Sequence, residues 1–337
     1  MILILVILFF LLLNSRENFG NYKYGQNTCP YKMTKIIKEM LDKNDFKKGE
    51  NWTLYIPCYM NNLSKELKTL KPTNTEQKIY MITGQINMIN KNLLWKRFYQ
   101  KFGNVAVKYM PNSYLLYNKK DRLRFHDEYI YKKKYILKKN IQNQMGLFLT
   151  DKKREIINAK DYVIAQEFLL DPYLINNRKI NLRIYLLIVC QNGLKAYYHQ
   201  NGFIYYTNKE YNENILDKEY LITTGDVDRK VYQDNPMSLK YLKNKKIKKN
   251  IHKIMKVLVN VFKPYLCQSK KYKNYLTFQL FGVDLFVHSD SSVKIMEVNK
   301  GPSLTPKDKQ DRSIKEEVVG DMFNLVLGKK HKFIQIE

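Results

Sequence analysis

The residues best suited to chemistry lie in segment 278–304, where two stretches of alternating pattern flank a polar loop. Read as a hairpin closed by a two-residue loop at Asp290–Ser291, the stretches place Asp284 directly across from Glu297, with Asn299 further along the same face. Two carboxylates that close repel each other unless a cation lies between them or one of them is protonated. Carboxylate and amide oxygens are ligands that Mg²⁺ takes when it carries substrate phosphates. A plain surface hairpin is the competing interpretation.

The faces of the second strand follow from the same register. It turns Met296 and Val298 toward the core, and it turns Ile295, Glu297 and Asn299 the opposite way. A loop one residue longer would break this register, so the predicted metal site depends on the loop length.

Phosphates at a metal site need positive partners, and we expect three of them on strands. Lys138 follows the short apolar stretch 135–137, while Lys179 and Arg183 lie in 179–190, where polar and apolar residues alternate. A period of two puts Lys179, Asn181 and Arg183 on one face and the apolar residues in the core.

Gln166 and Glu167 interrupt the apolar run 162–170, and we interpret them as part of an adenine site. A strand there offers backbone hydrogen bonds to the edge of a purine, and apolar side chains pack on its faces.

Other patterns predict the elements that must position these residues. The predicted helices are 33–41, 92–102, 239–265 and 313–327, and the predicted strands include 79–83 and 147–150. A turn is predicted at Pro111–Asn112, and a hairpin is predicted at 195–206 around Asn201–Gly202. Lysines fill much of the polar face of 239–265. They are interpreted either as a basic surface for an acidic substrate or as an ordinary solvated helix face.

The high positive charge of the chain is explained either by an acidic partner or by AT-rich coding. Its 337 residues include 59 Lys and Arg against 31 Asp and Glu, a formal charge of +28. Nucleic acid, phospholipid, nucleotide phosphate and an acidic protein all fit, and so does AT-rich coding that favours Lys. Apolar residues at 45% exclude a disordered chain.

Two further features bear on location. Residues 1–13 are continuously apolar and reach about 20 Å as a helix; they are interpreted as an N-terminal membrane anchor, with a transmembrane helix and the catalytic domain facing the cytoplasm. A buried N-terminal element is the alternative. Cysteines 29, 58, 190 and 267 have no metal-binding or redox spacing, so reduced or core thiols are expected.

In their order along the chain, these pieces resemble the tubulin–tyrosine ligase-like family, whose catalytic core has the ATP-grasp fold. The resemblance covers about residues 105–304, and its strongest matches are AQEFLLDPYLINNRKINLRIYLLI (165–188) and LFGVDLFVHSDSSVKIMEVNKGPSL (280–304). It implies an α+β fold in which central and C-terminal ATP-grasp lobes clasp ATP beside an N-terminal α/β lobe. The expected divisions are the anchor 1–13, the N-terminal lobe 20–110, the central lobe 111–165 and the C-terminal lobe with the metal site 166–330.

The resemblance also implies roles for matching residues. The residues implied to bind nucleotide are Lys138, Gln166, Glu167, Leu169, Lys179, Asn181 and Arg183, those implied to hold Mg²⁺ are Asp284, Glu297 and Asn299, and Arg183 and Lys179 are also implied to be catalytic. Departures are present. The nucleotide loop after Lys138 is poor in glycine, Asn181 replaces an aspartate, Gln200 and Asn201 stand where an arginine is usual, and 221–225 lacks an asparagine.

The resulting hypothesis is an ATP- and Mg²⁺-dependent carboxylate–amine ligase of the peptide-bond-forming class. It would add an amino acid to an acidic protein acceptor, with tubulin a possible acceptor, through an acyl-phosphate. A membrane-tethered nucleotide-binding pseudoenzyme is the alternative that the departures favour. A nucleic-acid-binding protein is the third, favoured by charge alone because no nucleic-acid-binding motif is present.

Overall fold

The computed structural model describes residues 22–26, 33–57, 63–141, 146–224 and 226–337. Its strands are β1 (Lys23–Gly25), β2 (Lys47–Lys48), β3 (Leu54–Tyr55), β4 (Lys78–Ile79), β5 (Ser113–Leu115), β6 (Tyr135–Lys138), β7 (Leu147–Thr150), β8 (Ile164–Glu167), β9 (Leu174–Ile175), β10 (Arg178–Cys190), β11 (Leu194–Thr207), β12 (Thr223–Thr224), β13 (Leu276–Val287), β14 (Val293–Asn299) and β15 (Phe333–Gln335).

The α-helices are α1 (Lys35–Lys43), α2 (Leu63–Thr69), α3 (Ile86–Ile89), α4 (Lys91–Phe102), α5 (Lys119–Glu128), α6 (Lys153–Ile157), α7 (Lys218–Leu221), α8 (Val231–Asp234), α9 (Lys245–Phe262) and α10 (Lys309–Val326), and 3₁₀ helices span Gly103–Lys108, Leu239–Tyr241 and Lys270–Tyr272. The four predicted helices are therefore present, with shifted ends. The predicted 239–265 divides into a 3₁₀ turn and α9.

A large mixed sheet forms the centre of the molecule. Within the described residues it has eleven strands, in the order β12-β11-β10-β13-β4-β3-β1-β2, with β14 beside β13, β15 beside β11 and β9 beside β10. The long strands β10, β11, β13 and β14 are antiparallel, whereas β1, β2, β3 and β4 pair in parallel. β10 is buried along most of its length because β11 and β13 flank it.

Helix α9 packs an apolar face onto the main core. Ile247, Ile251, Ile254, Leu258 and Val261 recur at helical spacing, and all are buried. The side chain of Asn244 caps the first turn by accepting hydrogen bonds from two backbone N–H groups. The sequence pattern predicts this face correctly because apolar burial is what places the helix.

A smaller antiparallel sheet in the described residues has the order β5-β8-β6-β7. It has its own core, in which Tyr114, Phe125 and Tyr135 pack edge to face. Lys138 ends β6 opposite Ile164 of β8, and its side chain reaches Gln166, which lies two residues further along β8. A mixed α and β chain with a large sheet is confirmed, while the predicted lobe boundaries stay predictions.

The hairpin predicted around Asn201–Gly202 is wrong. β11 runs straight through both residues and pairs with β10 on either side of a bulge. A Cβ atom at Gly202 would collide with the carbonyl oxygen of Arg183, so this glycine serves close approach of two strands. The turn lies at 191–193, where the φ of Asn192 is +52°.

The prediction of reduced thiols is wrong for two of the four cysteines. Cys190 and Cys267 form a disulfide, with 5.6 Å between their Cα atoms. It joins the end of β10 to the segment that follows α9, because the sheet brings together two residues that are 77 apart in sequence. Cys29 and Cys58 lie outside the described residues.

The predicted membrane anchor at 1–13 also lies outside the described residues. Among the helices that the structure describes, none has the length and apolar character needed to cross a bilayer. Within the described residues, this finding contradicts the prediction of a membrane-anchored protein with a transmembrane helix and a cytoplasm-facing domain.

Candidate functional site

A cavity of about 630 Å³ lies between the two sheets. Seven of the ten predicted site residues line it, namely Lys138, Lys179, Asn181, Arg183, Asp284, Glu297 and Asn299. Gln166, Glu167 and Leu169 do not line it. The fold therefore brings residues from β6, β10, β13 and β14 to one space, although they are up to 161 positions apart.

The β13–β14 hairpin has the register that the sequence predicted, for a different reason. Asp284 lies across from Glu297, and Gly282 lies across from Asn299. However, the loop between His288 and Ser292 has three residues, and the φ of Ser291 is +73°, as in three-residue hairpin loops. An irregularity next to Asp284 shifts the pairing by one residue and restores the opposition of the carboxylates.

Because of the register shift next to Asp284, two of the predicted side-chain orientations on β14 are wrong. Ile295 is fully buried in the main core, although it was expected on the cavity face. Met296 lines the cavity, although it was expected in the core. Glu297 and Asn299 lie on the cavity side as predicted, because they follow the bulge.

Asp284 is held by Arg183 from the neighbouring strand. Arg183 and Asp284 are directly opposed across β10 and β13. The guanidinium donates from Nε to Oδ1 at 2.5 Å and from Nη2 to Oδ2 at 2.9 Å, which is a bidentate ion pair. Its third nitrogen, Nη1, has no hydrogen-bond partner among the described residues, so a donor remains for a ligand.

Asn299 connects the two carboxylates. Its Nδ2 donates to Glu297 Oε1 at 3.0 Å and lies 3.3 Å from Asp284 Oδ2. The nitrogen and oxygen of an amide are assigned from their partners. A cation between the carboxylates would instead be met by the amide oxygen after rotation of the amide group.

The two carboxyls differ in proton affinity. Burial raises the pKa of Asp284 to about 6, against the opposing effect of Arg183 and with the help of the neighbouring Glu297 charge. Burial also acts to raise the pKa of Glu297, but Lys91, Lys138 and the Asn299 hydrogen bond outweigh it and lower that pKa to about 2. Glu297 is thus ionised at neutral pH and Asp284 is mostly ionised; Asp284 takes up a proton as the pH falls through about 6, and a bound cation would displace that proton.

Two buried lysines line the same cavity as the carboxylates. Lys138 donates to Gln166 Oε1 at 2.7 Å, and burial lowers its pKa to about 8. Lys179 lies over the rings of Phe168 and Phe286 at 4.2 and 5.2 Å and makes no hydrogen bond or ion pair with any described residue. Burial, followed by the charge of Lys138, lowers its pKa to about 7. An anionic ligand would stabilise the charged form of this side chain.

The predicted adenine residues lie behind the cavity or beside it. Gln166 is buried; its Oε1 accepts a hydrogen bond from Lys138, and its Nε2 donates to Ser113 Oγ at 2.9 Å. The Glu167 carboxylate pairs with Lys133 at 2.7 Å. Leu169 is half-buried outside the cavity lining. A direct contact of these three side chains with an adenine ring stays a prediction.

The donor set fits a divalent cation that carries phosphates. Two carboxylates and one amide lie within hydrogen-bonding reach of one another, and two lysines and an arginine stand around them. Asn181 adds an independent observation, because its Oδ1 is buried and has no hydrogen-bond partner in the part of the chain that the structure describes. A buried acceptor without a partner is costly, so a ligand group that donates to it is expected in the cavity.

Sequence reasoning missed several cavity residues. Lys91, at the start of α4, lies 3.7 Å from Glu297. At another part of the wall, Lys315 is buried and pairs with Asp311 at 2.7 Å, and Arg229 pairs with Asp308 at 2.9 Å. No spacing pattern in the sequence marks them, because each comes from a loop or helix that only the tertiary fold brings to the cavity.

Comparison with known proteins gives a consistent result. A family model described as the tubulin-tyrosine ligase family matches residues 68–334. A tubulin monoglutamylase of Mus musculus (TTLL4) is 23% identical over 320 residues, which cover 86% of this chain and 27% of that protein. A probable tubulin polyglutamylase of Rattus norvegicus (TTLL9) is 28% identical over 189 residues, covering 52% and 41%. A probable beta-tubulin polyglutamylase of Tetrahymena thermophila is 25% identical over 293 residues, covering 74% and 24%. The chain thus matches only a part of each relative.

Proposed function

The chain belongs to the tubulin-tyrosine ligase family, and from this premise we propose that it is an ATP-dependent ligase that joins an amino acid to a carboxylate of a protein acceptor. The relatives are named for acting on tubulin, so an acidic protein such as tubulin is the proposed acceptor. The fold proposed for this activity is the ATP-grasp arrangement, with the small sheet and the large sheet as the central and C-terminal lobes that hold ATP between them.

One observation carries the proposal: residues from four separate strands form a single charged cavity. Lys138 and Lys179 are proposed to bind the phosphates of ATP, because each is buried and its ammonium lacks a carboxylate at ion-pairing distance among the described residues. The Nη1 group of Arg183 is proposed to contact the transferred phosphoryl group. Gln166 is proposed to hold Lys138 in place.

Asp284, Glu297 and Asn299 are the residues that would hold Mg²⁺. Bound there, Mg²⁺ would neutralise negative charge on the phosphates. Glu297 provides a carboxylate that is ionised at neutral pH. Arg183 fixes the orientation of Asp284, so the residue meets a cation without first losing side-chain freedom.

The proposed reaction has two steps and requires no protein nucleophile. The acceptor carboxylate takes the γ-phosphoryl group of ATP, which gives an acyl-phosphate and ADP. The amine of the amino acid then attacks the acyl carbon, and the C–N bond forms as phosphate leaves and the amine loses a proton. The cations Lys138, Lys179 and Arg183 would stabilise the charge that develops on the phosphoryl oxygens.

The test is incubation of the full chain with ATP, Mg²⁺, single amino acids and tubulin or a Glu-rich peptide. ADP release and a mass increase of the acceptor by one residue are measured together. We expect both in the wild type, and a loss of at least 100-fold in Glu297→Gln, which removes charge with little change of shape.

Glu213→Gln is the matched control, because Glu213 is an exposed carboxylate outside the cavity. It should keep wild-type activity. Full ADP release by Glu297→Gln, or nucleotide binding by the wild type without turnover on any acceptor, would contradict the proposal; the second result would favour a pseudoenzyme.

A further inference from the structure

The basic charge of this protein is strongly segregated along the chain. Residues 235–283 contain twelve lysines and no aspartate or glutamate. Helix α10, of the same length as α9, instead mixes both signs and forms ion pairs such as Lys315–Asp311 and Arg312–Glu316. AT-rich coding adds lysine, but it gives no reason for acidic residues to be missing from one segment. The segregation therefore needs a physical explanation.

Most of these lysines form one exposed surface on α9 and the residue that precedes it. We call it the lysine face: Lys243, Lys245, Lys246, Lys248, Lys249, Lys253 and Lys256, all of which are exposed. Their side chains form no ion pair or hydrogen bond with the described residues. The lysines on either side differ, since Lys240 pairs with Glu317 at 2.6 Å and Lys263 pairs with Glu337. The lysine face is thus a run of unbalanced positive charge, and the nearest lysine on each side of it has an acidic partner.

The arrangement is unfavourable for an isolated helix. Lysines three or four residues apart, such as Lys249 with Lys245 and Lys253, repel each other along the helix surface. Lys245 and Lys246 also put positive charge at the helix N-terminus, where the helix dipole disfavours it. An anionic partner would remove both penalties, because it neutralises the repelling charges.

The lysine face is fixed relative to the cavity. Asn244 Nδ2 donates to Ser291 Oγ at 3.0 Å, and Asn250 Nδ2 donates to the Ser291 carbonyl at 2.9 Å. Ser291 belongs to the loop of the hairpin that carries Asp284 and Glu297. A polypeptide bound along α9 is therefore held at a constant position relative to the proposed catalytic carboxylates.

We propose that the lysine face is a docking surface for an acidic polypeptide segment. The face from 245 to 256 is about 17 Å long, which an extended chain of about five residues covers. The lysine face contains no arginine, whereas bidentate recognition of phosphates favours arginine. The choice of a polypeptide over a nucleic acid rests also on the proposed function, which requires a protein acceptor with carboxylates.

The experiment compares two quadruple variants of the full chain that lose the same charge. One is Lys248→Gln, Lys249→Gln, Lys253→Gln and Lys256→Gln. The control is Lys47→Gln, Lys48→Gln, Lys160→Gln and Lys195→Gln, which changes four exposed lysines that lie off α9. Binding of a fluorescent Glu-rich peptide is measured by anisotropy at two salt concentrations, without ATP, so the result does not depend on turnover.

We expect the α9 variant to lose at least tenfold in affinity at low salt and the control to lose less than threefold. High salt should reduce the difference, because exposed charges are screened. Equal losses in both variants would show an effect of net charge alone and would overturn the proposal. So would unchanged binding in the α9 variant, or tighter binding of a DNA or RNA oligonucleotide that displaces the peptide. ADP release, measured separately, tests the ligase proposal, so failure of one can be told from failure of the other.

Discussion

Nucleotide affinity should fall steeply as pH rises through neutrality because of Lys179. Burial and the charge of Lys138 lower the pKa of Lys179 to about 7. The ammonium form is therefore present below pH 7 and is lost above it. Phosphates bind the ammonium form, so each pH unit well above 7 reduces the competent fraction about tenfold.

The size of the effect follows from that pKa. The ammonium fraction is about one half at pH 7 and about one hundredth at pH 9, so loss of the Lys179 charge alone should lower the affinity for an ATP analogue about 50-fold over this interval. Lys138, whose pKa is about 8, steepens the fall above pH 8. The assay is calorimetric titration with a non-hydrolysable ATP analogue and Mg²⁺ at half-unit steps of pH.

Lys179→Arg is the informative variant, because a guanidinium keeps its charge over the whole range. Its affinity should vary much less between pH 7 and 8 than that of the wild type. Lys179→Met should bind weakly at every pH, with a melting temperature near that of the wild type to show that it folds. An affinity in the wild type that does not change with pH, or an equal slope in Lys179→Arg, would refute the assignment of Lys179 to the phosphates.

Three further outcomes are expected. Arg183→Lys keeps one charge but loses the bidentate pair with Asp284, so the free energy of unfolding should fall by about 1–3 kcal/mol in urea titrations; no change would mean that the pair is not held in solution. Reduction of the disulfide, or Cys267→Ser, should lower stability by up to about 4 kcal/mol for a loop of 77 residues, and alkylation followed by mass analysis should find no free thiol at Cys267 before reduction. Asn181→Asp puts a carboxylate two residues from Lys179 on the same strand face, which should raise the pKa of Lys179 and move the fall in nucleotide affinity to higher pH; a shift to lower pH would contradict this.

The local elements of this chain were largely predictable. β10 and α9 follow from hydrophobic periodicity, since Ile180, Leu182 and Ile184 alternate into the core and α9 buries its apolar face. The hairpin predicted at Asn201–Gly202 was wrong, because the same two residues that suit a turn also suit a close approach of two strands. Only the neighbouring strand β10 decides between these, and a sequence pattern does not contain that neighbour.

Only part of the candidate site was predictable, again because a sequence pattern does not contain the neighbouring strand. The opposition of Asp284 and Glu297 was predicted from a two-residue loop, yet the structure reaches it with a three-residue loop and a bulge. The extra loop residue and the bulge cancel in their effect on register. The predicted opposition of the two carboxylates is therefore observed, while the predicted faces of Ile295 and Met296 are wrong.

By itself, the sequence determined which residues carry charge on the polar faces of β10, β13 and β14, and it determined the acid-free basic segment 235–283. These are properties of residue type and local period. Tertiary structure alone decided that Arg183 binds Asp284, that Lys91 approaches Glu297 and that Lys179 is buried against two aromatic rings, with no ion-pair partner among the described residues. Each of these depends on contacts between segments far apart in sequence, and such contacts set burial and therefore proton affinity.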